Sequence, residues 1–153
     1  MWQRIQTVFL VLVVVCMVCG LFMPIWELTT ELKQMQLYPL HFSIKEGGVT
    51  TTSYFPYSIT ATLMVAAATL GMMSIRRFDN RMLQMKLGML NSLLLAGVMI
   101  CVVVFNNNVA TQYGNSKYGY ILFVVFGAVT FNWLAMRFIR RDEKMVRDSE
   151  RLR

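Results

Sequence analysis

Leu87-Gly88-Met89-Leu90-Asn91-Ser92-Leu93-Leu94-Leu95-Ala96-Gly97-Val98-Met99-Ile100-Cys101-Val102-Val103-Val104-Phe105 runs for 19 residues without a charged side chain. At 1.5 Å rise per residue such a helix reaches about 28 Å, close to the roughly 30 Å of a bilayer hydrocarbon core. Three further runs of this kind stand at Ile5 to Trp26, Pro56 to Ile75 and Tyr118 to Met136. A soluble domain of 153 residues hides its apolar residues at periodic positions and does not carry four unbroken stretches. The sequence therefore predicts an all-α membrane protein, a single four-transmembrane-helix bundle over 1–153. Its spans are expected at 5–26, 56–75, 83–105 and 118–138, with outer loops at 27–55 and 106–117 and a cytoplasmic tail at 139–153.

The first run is not expected to be a cleaved signal peptide. Its apolar core is long, and it ends in Phe22-Met23-Pro24-Ile25-Trp26 without a small-residue cleavage site. Bulky Val15 and Val18 before Cys16 and Cys19 also argue against a lipoprotein signal.

Charge sets the expected orientation. Arg4 precedes span one; Arg76, Arg77, Arg81 and Lys86 separate spans two and three; Arg137, Arg140, Arg141, Lys144, Arg147, Arg151 and Arg153 follow span four. Only Lys33, Lys45 and Lys117 fall on the other side, which places both termini in the cytoplasm. The net charge of +7 thus belongs to one face of the membrane, so it points to anionic lipid headgroups and not to nucleic acid.

The long outer loop carries a strand pattern. Leu40, Phe42 and Ile44 alternate with His41, Ser43 and Lys45; Glu46-Gly47-Gly48 supplies a turn, and Val49-Thr50-Thr51-Thr52-Ser53-Tyr54-Phe55 is rich in β-branched and aromatic residues. This predicts a small outer β-hairpin resting on the helix ends, since a lone hairpin is marginal in water. The second loop, with Asn106-Asn107-Asn108 and Gly114-Asn115-Ser116, reads as turn material. Trp26, Tyr54, Tyr57, Tyr113, Tyr118 and Tyr120 suit an interfacial aromatic belt.

Chemical motifs are few. Cys16-Met17-Val18-Cys19 has redox spacing, but thiols inside an apolar span stay protonated and pack as small hydrophobes. His41 is the one histidine and has no expected metal partners. No cofactor, metal or catalytic group is expected, and the chain does not read as an enzyme. The spans also lack the mid-membrane ionisable group that proton-coupled carriers need. Their polar residues are amides and hydroxyls. Asn91 on span three, Asn132 on span four and Thr69 on span two lie at a similar depth, so they are expected to form an interhelical polar layer, with Asn91 to Asn132 as its main contact.

Small residues recur in helical rows at Gly88, Ser92 and Ala96, at Ala67 and Gly71, and at Gly119 and Gly127 around Phe123. Such rows allow close helix approach, as internal seams in preference to a dimer interface. In the tail, Glu143 with Arg147, Arg140 with Glu143, Arg147 with Glu150 and Asp148 with Arg151 have helical spacing and extend the fourth helix. Phe138, Met145 and Leu152 leave a thin apolar stripe on it. Arg140, Arg141, Lys144, Arg147, Arg151 and Arg153 are the candidate contacts to lipid or to a protein partner.

The opening Met1-Trp2-Gln3-Arg4-Ile5-Gln6-Thr7-Val8, the pattern Leu83-Gln84-Met85-Lys86-Leu87 with Leu90-Asn91, and the closing Ile139-Arg140-Arg141-Asp142-Glu143-Lys144-Met145-Val146-Arg147 with Arg151-Leu152-Arg153 mark a resemblance over the whole chain. The chain resembles a family of uncharacterised four-span inner-membrane proteins of the Bacteroidota, a domain-of-unknown-function family. The resemblance implies a bacterial cytoplasmic membrane and no assigned activity. The topology is also similar in outline to tetraspan adaptors such as claudins, although the loop lacks their cysteine pair. The expected role is a non-enzymatic accessory, scaffold or assembly factor, with the outer hairpin and the basic tail as contact surfaces. The rival is a small oligomeric channel or transporter for a neutral or weakly polar solute.

Overall fold

The computed structural model describes residues 2–30, 33–77, 80–114 and 117–151. Its elements are α1 (Trp2–Leu21), β1 (Trp26–Thr29), β2 (Lys33–Leu37), β3 (Phe42–Glu46), β4 (Val49–Ser53), α2 (Ser58–Arg76), α3 (Arg81–Tyr113), β5 (Lys117–Tyr118) and α4 (Ile121–Arg151). The expectations placed on Asn115, Ser116, Leu152 and Arg153 lie outside the described residues.

The four helices pack in a ring, α1 against α2 and α4, and α3 against α2 and α4. Helical periodicity explains the packing. The buried positions of α3 are Gln84, Gly88, Asn91, Leu95, Val98, Val102, Asn106 and Val109, a three-and-four spacing that keeps one face inward over about seven turns. On α4, Ile121, Val125, Ala128, Asn132, Ala135 and Ile139 do the same. Neighbours run antiparallel. Val14 of α1 meets Gly71 of α2, Gly20 of α1 meets Met64 of α2 and Ile121 of α4, and Phe9 of α1 stacks on Phe138 of α4 with ring centroids 5.6 Å apart.

Among the described residues three helical segments, Ser58–Arg76, Arg81–Tyr113 and Ile121–Arg147, are long and apolar enough to cross a membrane. The apolar stretch of α1, Ile5–Leu21, is shorter. The chain is thus mostly helical with three membrane-length apolar helices. Helix α1 also stops before the expected end of span one, because Pro24 follows its last turn and Trp26 enters a strand.

The expected hairpin is present as β3 and β4, joined by Gly47 and Gly48 at φ of 58° and 85°, a two-residue turn that needs left-handed backbone. It is part of a larger antiparallel sheet in the order β4-β3-β2-β1-β5. Met35 pairs with Ile44 and Leu37 with Phe42, so one face carries the apolar side chains. That face sits on the helix ends through an aromatic cluster. Phe42 lies 5.8 Å from Tyr57 and 5.7 Å from Tyr113, Trp26 lies 6.4 Å from Tyr113, and Tyr57 meets Phe105 edge-on at 5.3 Å. Trp26, Tyr57 and Tyr113, expected in an aromatic belt, therefore seat the sheet, whereas Tyr54 and Tyr120 remain exposed.

The second loop, expected over 106–117, is shorter. Asn106, Asn107 and Asn108 continue α3, because Val102, Asn106 and Val109 extend its buried stripe, and the helix ends only at Gly114 with φ of 102°. β5 then adds to β1, pairing Trp26 with Tyr118 and Glu27 with Lys117. Gly119 belongs to this junction and not to a helix seam: its N–H donates to the Ile25 carbonyl at 2.9 Å, and its Cα lies against the Pro24 carbonyl.

Candidate functional site

The inward stripes of α3 and α4 bring two amides together. Asn91 Nδ2 donates to Asn132 Oδ1 at 3.1 Å, and Asn132 Nδ2 donates to the Gly88 carbonyl at 3.2 Å and to Ser92 Oγ at 2.8 Å. Ser92 in turn donates to the Gly88 carbonyl at 3.0 Å. Each asparagine is only 1% exposed, so these bonds offset part of the cost of burying the two amides, Asn91 Oδ1 being left without a partner among the described residues. At Gly88 the Met136 thioether fills the space a Cβ would take.

Thr69 does not join this layer. Its side chain is exposed, and its hydroxyl donates to the Ala66 carbonyl of its own helix at 2.8 Å. At about 100° per residue, Thr69 is turned some 200° from buried Ala67. Ser92 takes the third place instead. In the sequence Ser92 stands both among the small residues of the Gly88 row and among the hydroxyls of the apolar runs, but the expected layer does not include it.

Beside the layer, Met89, Ser92, Trp133, Met136, Arg137 and Arg140 line an open groove of about 410 Å³ between α3 and α4. The Arg137 guanidinium lies 5.6 Å from the Trp133 ring centroid, a cation–π distance. Arg140, Arg141, Lys144 and Arg147 are exposed along α4. Of the remaining tail candidates, Arg151 is described only in its backbone and Arg153 not at all. The tail stripe is corrected at one position: Phe138 packs on Phe9 of α1, while Met145 is exposed.

The start of α4's extension is tied down. Arg81 Nη2 lies 3.3 Å from Asp142 Oδ2, and Arg81 Nη1 donates to the Asp142 carbonyl at 3.3 Å. Arg81 is the first residue of α3, whose N-cap Asn80 accepts from the Leu83 N–H at 3.1 Å.

Further buried polar groups sit toward the ends of the bundle. Gln84 Nε2 donates to the Ser74 carbonyl at 3.2 Å, and Gln6 is buried on α1. At the sheet end Thr60 and Asn106 are buried. Between these groups Val13, Met17, Met64, Ala67, Leu95, Val98, Val125 and Ala128 are fully enclosed, an apolar plug with no ionisable side chain. Among the described residues no Asp, Glu, Lys, Arg or His is buried, and no three His, Cys, Asp or Glu side chains gather into a cluster.

Comparison with curated proteins finds no match. The family model described as Domain of unknown function (DUF4293) matches residues 2–152, nearly the whole chain, and the protein therefore belongs to that family.

Proposed function

We propose that this chain is a non-enzymatic four-span protein of the bacterial cytoplasmic membrane, with both termini inside, acting as an accessory, scaffold or assembly factor. The observation that carries this reading is the sealed interior. The core between the two ends is apolar and closed, and the two polar asparagines at its inner third bind each other. Such a closed apolar core favours a packing role over a conducting path.

The fourth span is supported by length and packing. The 20 residues of α1 extend about 30 Å, and the helix lies alongside both α2 and α4 from Phe9 to Gly20. The inside orientation of the termini is supported by the asymmetry of basic residues. The surfaces left for contact are at the two ends. Strand β4 is exposed along its whole length at the sheet edge, and the basic residues of α4 project beyond the bundle.

Affinity capture of the full chain in a gentle detergent, set beside solute flux in liposomes, tests the proposal. The expected result is a reproducible stoichiometric membrane partner and liposomes as tight as empty ones. Flux of neutral solutes that is altered by Asn132→Leu would replace the scaffold with an oligomeric channel.

A further inference from the structure

We infer that the groove between α3 and α4 is a binding site for one anionic phospholipid of the inner leaflet, held by Arg137 and Arg140 at its headgroup and by Met89, Trp133 and Met136 along an acyl chain. The inference deepens the proposed function and rests on its topology, because it needs this end of α4 to face the cytoplasmic leaflet.

Charge and depth point to the same occupant. With α4 centred in the bilayer near Ala128, Arg137 lies about 13.5 Å and Arg140 about 18 Å toward the cytoplasm. They bracket the half-thickness of the hydrocarbon core, about 15 Å, where lipid phosphates begin. Among the described residues neither arginine forms an ion pair, in contrast to Arg81, which pairs with Asp142, so both guanidiniums keep donors for a phosphate.

The groove above them has the other half of a lipid's chemistry. Trp133 is 58% exposed and Met89 54% exposed, both on the lipid-facing side of the two helices. Arg137 lies over the Trp133 ring, which orients its guanidinium at the mouth. The polar layer closes the groove from behind, since Ser92 spends its hydroxyl on Asn132 and Gly88. A soluble anion would have no use for this apolar wall, whereas a phospholipid covers it with a chain. The site differs from the diffuse attraction expected of the whole tail, because it involves Arg137 and excludes Lys144 and Arg147, which do not line the groove.

Native mass spectrometry of the purified full chain, released from micelles doped with either phosphatidylglycerol or phosphatidylcholine, tests the site. One phosphatidylglycerol should be retained in preference to phosphatidylcholine. R137Q/R140Q should weaken its retention by about thirty-fold, at about a factor of five for each basic group beside anionic headgroups. K144Q/R147Q, which removes the same charge, should leave it nearly unchanged. Brominated phosphatidylglycerol should also quench the fluorescence component that Trp133→Phe removes. Equal losses in the two double variants would reduce the site to diffuse charge, equal retention of phosphatidylcholine would remove headgroup recognition, and displacement by inorganic phosphate would give the arginines to a free anion. Each of these overturns the inference. Thiol accessibility of Lys144→Cys in sealed cells reports orientation separately, so an outward tail would sink the topology without altering this binding result.

Discussion

Asn91 of α3 and Asn132 of α4 face each other across the helix seam with Nδ2 to Oδ1 at 3.1 Å, although 41 residues separate them. The pair stands between two kinds of surroundings. Toward the middle of the bundle lie the enclosed side chains of Leu95, Val98 and Ala128; toward the end from which α4 extends lie Gly88, Met136 and the open groove. The amides thus mark where a dry core ends, and they fix the axial register of α3 against α4.

Replacing Asn132 with leucine removes the acceptor of Asn91 and both bonds donated by its own amide. Interhelical hydrogen bonds in membranes average about 0.6 kcal/mol and reach about 1.7, so a loss of about 1 to 2 kcal/mol is expected. The double variant Asn91→Leu/Asn132→Leu should lose less than the sum of the two singles, because no amide is left buried alone. Unfolding of the four proteins in one detergent measures the cycle, and strict additivity would mean that the two side chains do not act as a pair.

Two glycines should respond differently to the same methyl group. At Gly88 a Cβ meets the thioether of Met136, a flexible side chain that can move, whereas at Gly119 it meets the backbone carbonyls of Pro24 and Ile25. Overpacking against immovable atoms costs about 1 to 3 kcal/mol. Gly119→Ala is expected near the top of that range and Gly88→Ala below about 1 kcal/mol. Midpoint temperatures for the two variants in the same micelles check the order; a more damaging Gly88→Ala would show that the α3 and α4 seam is the tighter contact.

The long apolar runs made the helices legible, and the asparagine pair could be found because depth along a helix is a matter of counting. Azimuth was harder. Asn91 falls between Gly88 and Leu95 on a three-and-four stripe, and Asn132 between Ala128 and Ala135, so both point inward. Thr69 matches them in depth but is turned away from the stripe of Met64, Ala67, Gly71 and Ser74. Three strands are not legible in the sequence, for different reasons. Lys33-Gln34-Met35-Gln36-Leu37 alternates as a strand should, but its lysine and glutamines have low β propensity, and only the apolar partners Ile44 and Phe42 make the pairing favourable. Trp26 read as the end of a span because its burial comes from Tyr113 across the fold, and the two residues of β5 are too few to form a pattern. At Asn106 the turn signal of three asparagines was overridden by tertiary packing of Val102 and Val109. The groove beside Trp133 combines two helices that are far apart in sequence at that point, so no local pattern announces it.

Orientation is open to a direct labelling experiment on a background in which Cys16, Cys19 and Cys101 are replaced. Thr51 is exposed in the edge strand β4, and Lys144 is exposed on the α4 extension. A membrane-impermeant maleimide should modify Thr51→Cys in intact cells and reach Lys144→Cys only after permeabilisation. Modification of Lys144→Cys in sealed cells would reverse the topology and move the basic tail outside.

The Arg81 to Asp142 contact ties the first residue of α3 to the part of α4 beyond the bundle. Their side chains are 27% and 15% exposed, so water screens the pair only in part. Global stability should change little on Asp142→Asn, by about 0.5 to 1 kcal/mol, since the Asp142 carbonyl keeps its bond from Arg81 and a partly exposed pair contributes modestly. The local effect should be larger. Without the carboxylate, the turns of α4 after Ile139 retain few tertiary contacts, and their short-range pairs add only about 0.2 to 0.5 kcal/mol each. Hydrogen exchange should therefore quicken from Arg140 to Arg147 in the variant while the amides from Val125 to Ala135 keep their protection. Unchanged protection of that segment would mean that helix propensity alone holds the extension, with Arg81 serving only as a charged residue at the head of α3.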